Sequence, residues 1–213
     1  MKEQVAKILL ELKAVKIQPN NPFTYTSGLI SPIYIDNRFV MSFPKERKIV
    51  LDYMIELIKE KNLEFDIIAG VATAGIHWAA WLSERYNVPM IYIRDKAKGH
   101  GRQNQIEGFL EKRKKVLVIE DHISTGESSI AAIKAVKNAG CKVSDCVAIT
   151  TYEFKAAKEK FDEENCKLYT LTDFTTLINV TAKMNYIQKD EKEKVLEWNK
   201  APAEWGKKHG FEK

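Results

Sequence analysis

Apolar positions change their period along this chain, and each period predicts an element. Val5, Ile8, Leu9 and Leu12 recur at helical spacing, so the chain opens with a helix that Asn20-Asn21-Pro22 cannot continue. Residues 23–36, FTYTSGLISPIYID, alternate and turn as a short hairpin does. Pro44 precedes a helix over 45–61 with Ile49, Met54, Leu57 and Ile58 as its apolar face. Beyond it, apolar runs at 65–69, 89–93, 115–120, 142–150 and 167–171 predict strands. Helical patterns fill the intervals at 75–86, 127–139 (ended by Gly140) and 154–161, and the tail from Asp173 carries further helices. Strands alternating with amphipathic helices predict an α/β fold, an open, mainly parallel sheet with helices on both faces.

One segment has no apolar period. Residues 94–108, RDKAKGHGRQNQIEG, hold three glycines and five basic residues: Arg94, Lys96, Lys98, His100 and Arg102. A loop this long inside a compact domain is usually functional or mobile. Basic groups on a glycine-hinged element suit a lid that closes over a polyanion and excludes water, whereas the plainer reading is a solvated lysine-rich loop. Composition limits the setting. The 213 residues, 45% apolar and 30% charged, suit a soluble single domain with a sizeable core. Cys141, Cys146 and Cys166 form no CxxC pair and no even framework, which predicts reduced thiols in a cytoplasmic protein. Residues 1–12 lack the apolar run of a leader, and no stretch approaches the ~18 apolar residues of a membrane span. The net charge of +5 is scattered among acidic residues, so it does not call for a nucleic-acid surface.

The chemistry concentrates at VLVIEDHISTGESS, from Val116 to Ser129. An apolar strand ends in two carboxylates, Glu120 and Asp121, followed by His122, Ile123, a Ser124-Thr125-Gly126 turn and a helix. In an open parallel sheet, ligands bind beyond the carboxyl ends of the strands. Gly126 lets the backbone approach a ligand closely, and the free N–H groups of a helix start favour an anion. Ser124, Thr125 and Ser128 add hydroxyls. The carboxylates would repel a phosphate on the same spot and suit neutral hydroxyls or a divalent metal. A ligand with phosphate at one end and a diol or metal at the other is a sugar phosphate. The same letters also spell an ordinary capped helix; the strand and carboxylate pair directly before them favour the sugar phosphate.

IEDHISTGES resembles the signature with which type I phosphoribosyltransferases bind phosphoribosyl pyrophosphate (PRPP). Three further segments resemble the orotate phosphoribosyltransferases: SGLISPIYIDNR their substrate segment, GVATAGI their pyrophosphate loop, and RDKAKGHGRQNQIEG their catalytic loop. LINV, EWNKAP and Trp205 in the tail are similar to the shorter bacterial branch. The resemblance implies one phosphoribosyltransferase domain over 1–213: an N-terminal hood of about 1–42, a core of about 43–172 and C-terminal helices of about 173–213. It implies Mg²⁺-dependent transfer from PRPP to orotate, giving orotidine 5′-phosphate and pyrophosphate, in pyrimidine synthesis. The magnesium would be held mainly by substrate and water.

The resemblance also implies roles. Lys98, His100 and Arg94 would meet the pyrophosphate, with Ala72, Thr73, Ala74 and Gly75 as its backbone loop. Glu120 and Asp121 would hold the ribose hydroxyls, Asp121 also shielding the cationic centre. Thr125, Gly126, Glu127 (through its backbone) and Ser128 would hold the 5′-phosphate, with Ile123 in the same turn. Ser124 would reach towards the base, beside Tyr34, Ile35 and Arg38; edge-strand packing is the plain reading of the first two. His122 is either a packed histidine beneath the site or an extra contact to ribose. Relatives close the loop over a neighbouring subunit's site, which implies a homodimer. The sequence departs from the pattern at Thr26, Ala74 and Asp95, where some relatives carry lysine, and at Thr151-Tyr152-Glu153, where some carry arginine. The competing readings are transfer to another nucleobase and a PRPP-sensing regulator, which would want a basic DNA-binding module.

Overall fold

The computed structural model describes residues 1–95 and 105–211. In chain order the elements are α1 (Lys2–Glu11), β1 (Val15–Ile17), β2 (Phe23–Thr24), β3 (Ile30–Ser31), β4 (Ile33–Ile35), a 3-10 turn (Asn37–Ser42), α2 (Pro44–Glu60), β5 (Ile67–Val71), α3 (Gly75–Tyr86), β6 (Met90–Ile93), β7 (Ile106–Glu107), β8 (Val116–Ile123), α4 (Glu127–Asn138), β9 (Asp145–Thr151), α5 (Lys155–Glu163), β10 (Lys167–Thr170), α6 (Phe174–Lys183), α7 (Lys189–Lys200) and α8 (Pro202–Lys208).

Six strands form one sheet in the order β10-β9-β8-β5-β6-β7, parallel throughout except for β7, which runs antiparallel to β6 at the edge. Successive side chains of a strand point to opposite faces, so a strand covered on both sides is apolar at every position. The structure divides them accordingly. Ile68, Leu117, Ile119, Val147 and Ile149 pack with Met54, Ile58, Trp78 and Leu82 of α2 and α3. Ile67, Ala69, Val118, Cys146 and Ala148 pack with Ile130 and Ile133 of α4 and Ala157 and Phe161 of α5.

The first core continues into a hood made from both ends of the chain. β1 pairs with β4, β2 with β3, and Val5 and Leu9 of α1 pack with Leu177 and Ile178 of α6. Trp198 of α7 donates its indole N–H to Ile30 O at 3.0 Å, and the Asn199 amide donates to Tyr152 O at 2.5 Å. All three cysteines are buried free thiols. No helix among the described residues is long and apolar enough to cross a membrane.

Several boundaries differ from the sequence expectation. Ile49 is 43% exposed, and Val50 and Leu51 take its place, because the stripe through Met54, Leu57 and Ile58 reaches back to them at 3.6 residues per turn. The strand expected over 65–69 is Ile67–Val71; Phe65 instead stands edge-on to Tyr86, with ring centroids 5.2 Å apart. The strand expected to end at Glu120 runs to Ile123, since β9 continues beside it and pairs Ile123 with Thr151. The glutamate and aspartate therefore stand within a paired strand. β1 and β7 were not expected: three and two residues are too short to show a period.

Candidate active site

Three segments meet in one cleft of about 460 Å³: 35–38 from the hood, 72–74 after β5, and 120–129 across the end of β8 and the start of α4. The first gives Ile35, Asp36 and Arg38, and the second Ala72, Thr73 and Ala74. The third gives Glu120, Asp121, His122 and the run from Ser124 to Ser129.

The β8–α4 turn is shaped by one residue. Gly126 is the N-cap of α4 at φ +78°, a left-handed conformation that glycine adopts without the usual Cβ cost. A Cβ there would meet Phe161 and Ala157 no closer than 3.4 Å, so the dihedral, and not space, demands glycine. No side chain caps α4. That sets aside the capped-helix reading and leaves the first-turn N–H groups without a side-chain acceptor beside the cleft, where an anion is favoured. The Glu127 carboxylate turns away to Lys160, 3.1 Å off, and leaves its main chain at the turn.

The Ala72–Gly75 turn makes a second helix start, with Ala74 as the uncapped N-cap of α3 and the Ala72–Thr73 peptide in the cis form. Gly75 lies so close to β8 that a Cβ on it would sit 2.4 Å from Ile119 O. Gly70 is similarly placed, its virtual Cβ lying 2.8 Å from Gly75 O. Small residues here bring α3 onto the strand that carries the carboxylates.

Glu120 is 6% exposed; it accepts from Asp121 N at 3.0 Å and from the Ser129 hydroxyl at 3.3 Å. Burial, and then the neighbouring Asp121 charge, push its pKa well above the usual carboxylate range. Burial also raises Asp121, with hydrogen bonds and Arg38 opposing the rise. Across the cleft Asp36 clamps Arg38: Nε donates to Oδ1 at 2.6 Å and Nη2 to Oδ2 at 2.8 Å. The hydrogen bond from Arg38 holds the Asp36 carboxyl below its usual range. His122 lines the cleft, with Nδ1 2.8 Å from the Thr150 hydroxyl and its ring edge-on to Tyr152 at 4.3 Å. Its Nε2 is buried without a partner among the described residues, and burial lowers its pKa to about 3, so the ring is neutral.

Of the residues singled out in the sequence, the cleft thus gathers Ile35, Arg38, Ala72, Thr73, Ala74, Glu120, Asp121, His122, Ser124, Thr125, Gly126, Glu127 and Ser128. Others stand apart from its lining. Ile123 is buried in the second core. Gly75 lies behind the cleft, against β8. Tyr34 packs with Phe23 and Tyr25, ring centroids 5.7 and 6.1 Å away. Arg94 sits at the sheet edge, with Nη1 3.4 Å from the Glu107 carboxylate. Lys98 and His100 lie outside the described residues.

Sequence reasoning missed Asp36, Asn37, Ser129 and Thr150. A signal existed for the first two, since a polar Asp-Asn-Arg run follows the alternating strand directly; Thr150 reads as one more β-branched strand residue. Among the described residues no three His, Cys, Asp or Glu side chains gather into a metal cage. The adjacent carboxyls of Glu120 and Asp121 suit a magnesium that takes most of its oxygens from substrate and water.

Residues 42–184 match the family model described as the phosphoribosyl transferase domain. An orotate phosphoribosyltransferase of Coxiella burnetii is 46% identical over 202 residues, 95% of this chain and 97% of its own length. One from Bacillus cytotoxicus is 50% identical over 204 residues, 96% of this chain and 97% of its own. Among solved structures, the orotate phosphoribosyltransferase of Aeropyrum pernix aligns with a TM-score of 0.75 at 27% identity, over 86% of this chain and 99% of that one.

Proposed function

Because the chain belongs to the phosphoribosyltransferases and, within them, to the orotate phosphoribosyltransferase family, we propose that it transfers the phosphoribosyl group of PRPP to orotate, releasing pyrophosphate, in pyrimidine synthesis. One observation supports this most directly: an uncapped helix start stands beside two adjacent carboxyls, with an arginine opposite, in a single cleft. Those are the groups that a phosphate, a ribose diol and an acidic base require.

Cleavage of the C1–O bond leaves positive charge on the ribose and negative charge on the departing pyrophosphate. No protein nucleophile is needed; the residues position the reactants and stabilise separating charge. The turn residues Thr125, Gly126, Glu127 (by its main chain) and Ser128 hold the 5′-phosphate, with Ile123 fixing the turn from the core. Glu120 and Asp121 accept from the ribose hydroxyls, and Asp121 faces the cationic centre. The helix start at Ala72–Gly75 receives the pyrophosphate, with Lys98, His100 and Arg94 supplying cationic charge. Orotate lies against Ile35, its carboxylate towards Arg38, with Ser124 at its other edge. Magnesium, when bound, neutralises pyrophosphate charge, with Glu120 and Asp121 the protein carboxyls available to it and its remaining oxygens from substrate and water.

The unit over 1–213 is read as one domain: hood about 1–42, core about 43–172, C-terminal helices about 173–213. A homodimer sharing the 94–108 segment between subunits suits the exposed Phe39, Met41, Phe43 and Ile49, which lie beside the hood turn and early α2. Mixing Lys98→Ala protomers with Asp121→Asn protomers should restore activity, and a mixture that stays inactive argues against sharing. Three reduced thiols suit the cytoplasm. The decisive assay follows orotate absorbance with PRPP and Mg²⁺, beside uracil, hypoxanthine and adenine. Orotate alone should be consumed; consumption of another base in its place refutes the assignment.

A further inference from the structure

Asn37 is fully buried at the start of the hood's 3-10 turn, between Ile35 and Arg38 on one side of the cleft and the acidic strand on the other. Its amide nitrogen lies 2.7 Å from Asp121 O and 2.8 Å from the Thr150 hydroxyl. The orientation of the amide follows from chemistry: the atom facing a main-chain carbonyl at that distance must be the donor. Both amide hydrogens are therefore used, one on β8 and one on β9. Oδ1 is left buried with no partner among the described residues. An unmet buried acceptor costs stability, so a residue serving only the fold would be expected to satisfy it.

The Thr150 hydroxyl is the second node. It accepts from Asn37, stands 2.8 Å from His122 Nδ1, and lies 3.4 Å from Asp121 O. One side chain from the hood and one hydroxyl from β9 thus hold the main chain of Asp121 and the ring of His122 together. No other side-chain hydrogen bond among the described residues joins residues 35–38 to 120–123.

We propose that Asn37 is a positioning residue for the transfer reaction: through Asp121 O and Thr150 it fixes the separation between the segment that meets the base and the strand that meets the ribose. It touches neither reactant. It sets the distance across which the base nitrogen attacks C1. This rests on the reaction proposed above.

The test is the split between turnover and substrate binding. Thr150→Val is nearly isosteric and removes the shared hydroxyl, Thr150→Ser retains it, and Asn37→Ser withdraws the amide. Misplacing reactants by about 1 Å costs about 10²-fold in rate. Thr150→Val and Asn37→Ser should therefore lose about that much single-turnover rate, while KM for orotate and for PRPP stays within about threefold. Thr150→Ser should stay within about threefold of the parent. The Thr150 pair decides the matter if Asn37→Ser fails to fold. Unchanged turnover in Thr150→Val, a Thr150→Ser as slow as it, or KM rising in proportion to the lost rate overturns the proposal. A parent protein that consumes no orotate overturns the reaction itself, and this inference with it.

Discussion

Replacing Gly75 with alanine adds one methyl group where two backbones touch. The new Cβ would lie 2.4 Å from Ile119 O, against an ordinary contact of 3.4 Å or more. Neither partner is a side-chain tip that can swing away: one is the first residue of α3 and the other a strand carbonyl in the middle of the sheet. Helix or strand must therefore move by about 1 Å, a shift of the size that overpacking forces on backbones, at about 1–3 kcal/mol. Alanine's better helix propensity returns only about 0.5–1 kcal/mol, so the clash wins. The displaced carbonyl belongs to the residue before Glu120. A movement of about 1 Å there should also cost about 10²-fold in turnover. Urea unfolding and the orotate absorbance assay read the two effects separately. An alanine variant with the parent's urea midpoint and turnover would show that α3 and β8 are not in the contact described.

Three other substitutions test the remaining assignments. His77 packs against Trp78 and Trp81, and burial, with the Arg47 charge, lowers its pKa to about 4. The unfolded chain takes up a proton near pH 6.5 that the folded ring refuses, so this stability is complete above that pH and lost as pH falls towards 4. His77→Phe should flatten the decline over that window by at most about 1.4 kcal/mol per pH unit, less for the part of the ring open to water, and parallel stability curves would contradict it. Asp36→Asn loosens the clamp on Arg38, an exposed pair of about 1 kcal/mol, and should raise KM for orotate about fivefold with turnover nearly unchanged; a fall in KM would count against the assigned role. Lys98→Ala should lower turnover far more than it weakens orotate binding, which equal turnover in variant and parent would refute.

Much of this was legible in the sequence because the sheet is parallel and covered on both faces. Its strands are continuous apolar runs between amphipathic helices, and α3 begins and ends where its pattern does. The strand-to-helix turn at Ser124-Thr125-Gly126 was legible because Gly126 is fixed by a dihedral, which is a local property. What escaped was non-local. β1 exists because β4 offers it an edge, and β8 runs past its apolar run because β9 does. Asn37 and Thr150 are ordinary polar letters until the hood is laid over the strand ends. Tyr34 shows the edge-strand packing that was its plain reading, its ring meeting Phe23 and Tyr25.

The hood has a consequence for synthesis. The hairpin that carries Ile30 receives a hydrogen bond from Trp198, and the Tyr25 hydroxyl, whose hydrogen goes to Ile33 O, accepts from Tyr152, itself braced by Asn199. Trp198 and Asn199 follow the whole sheet in chain order. The sheet can form from residues 67–170 before α7 is made, but the hairpin that carries Ile30 must wait for Trp198. Trimming the last helices should therefore leave a chain that holds its parallel sheet and exposes its own beginning to proteases.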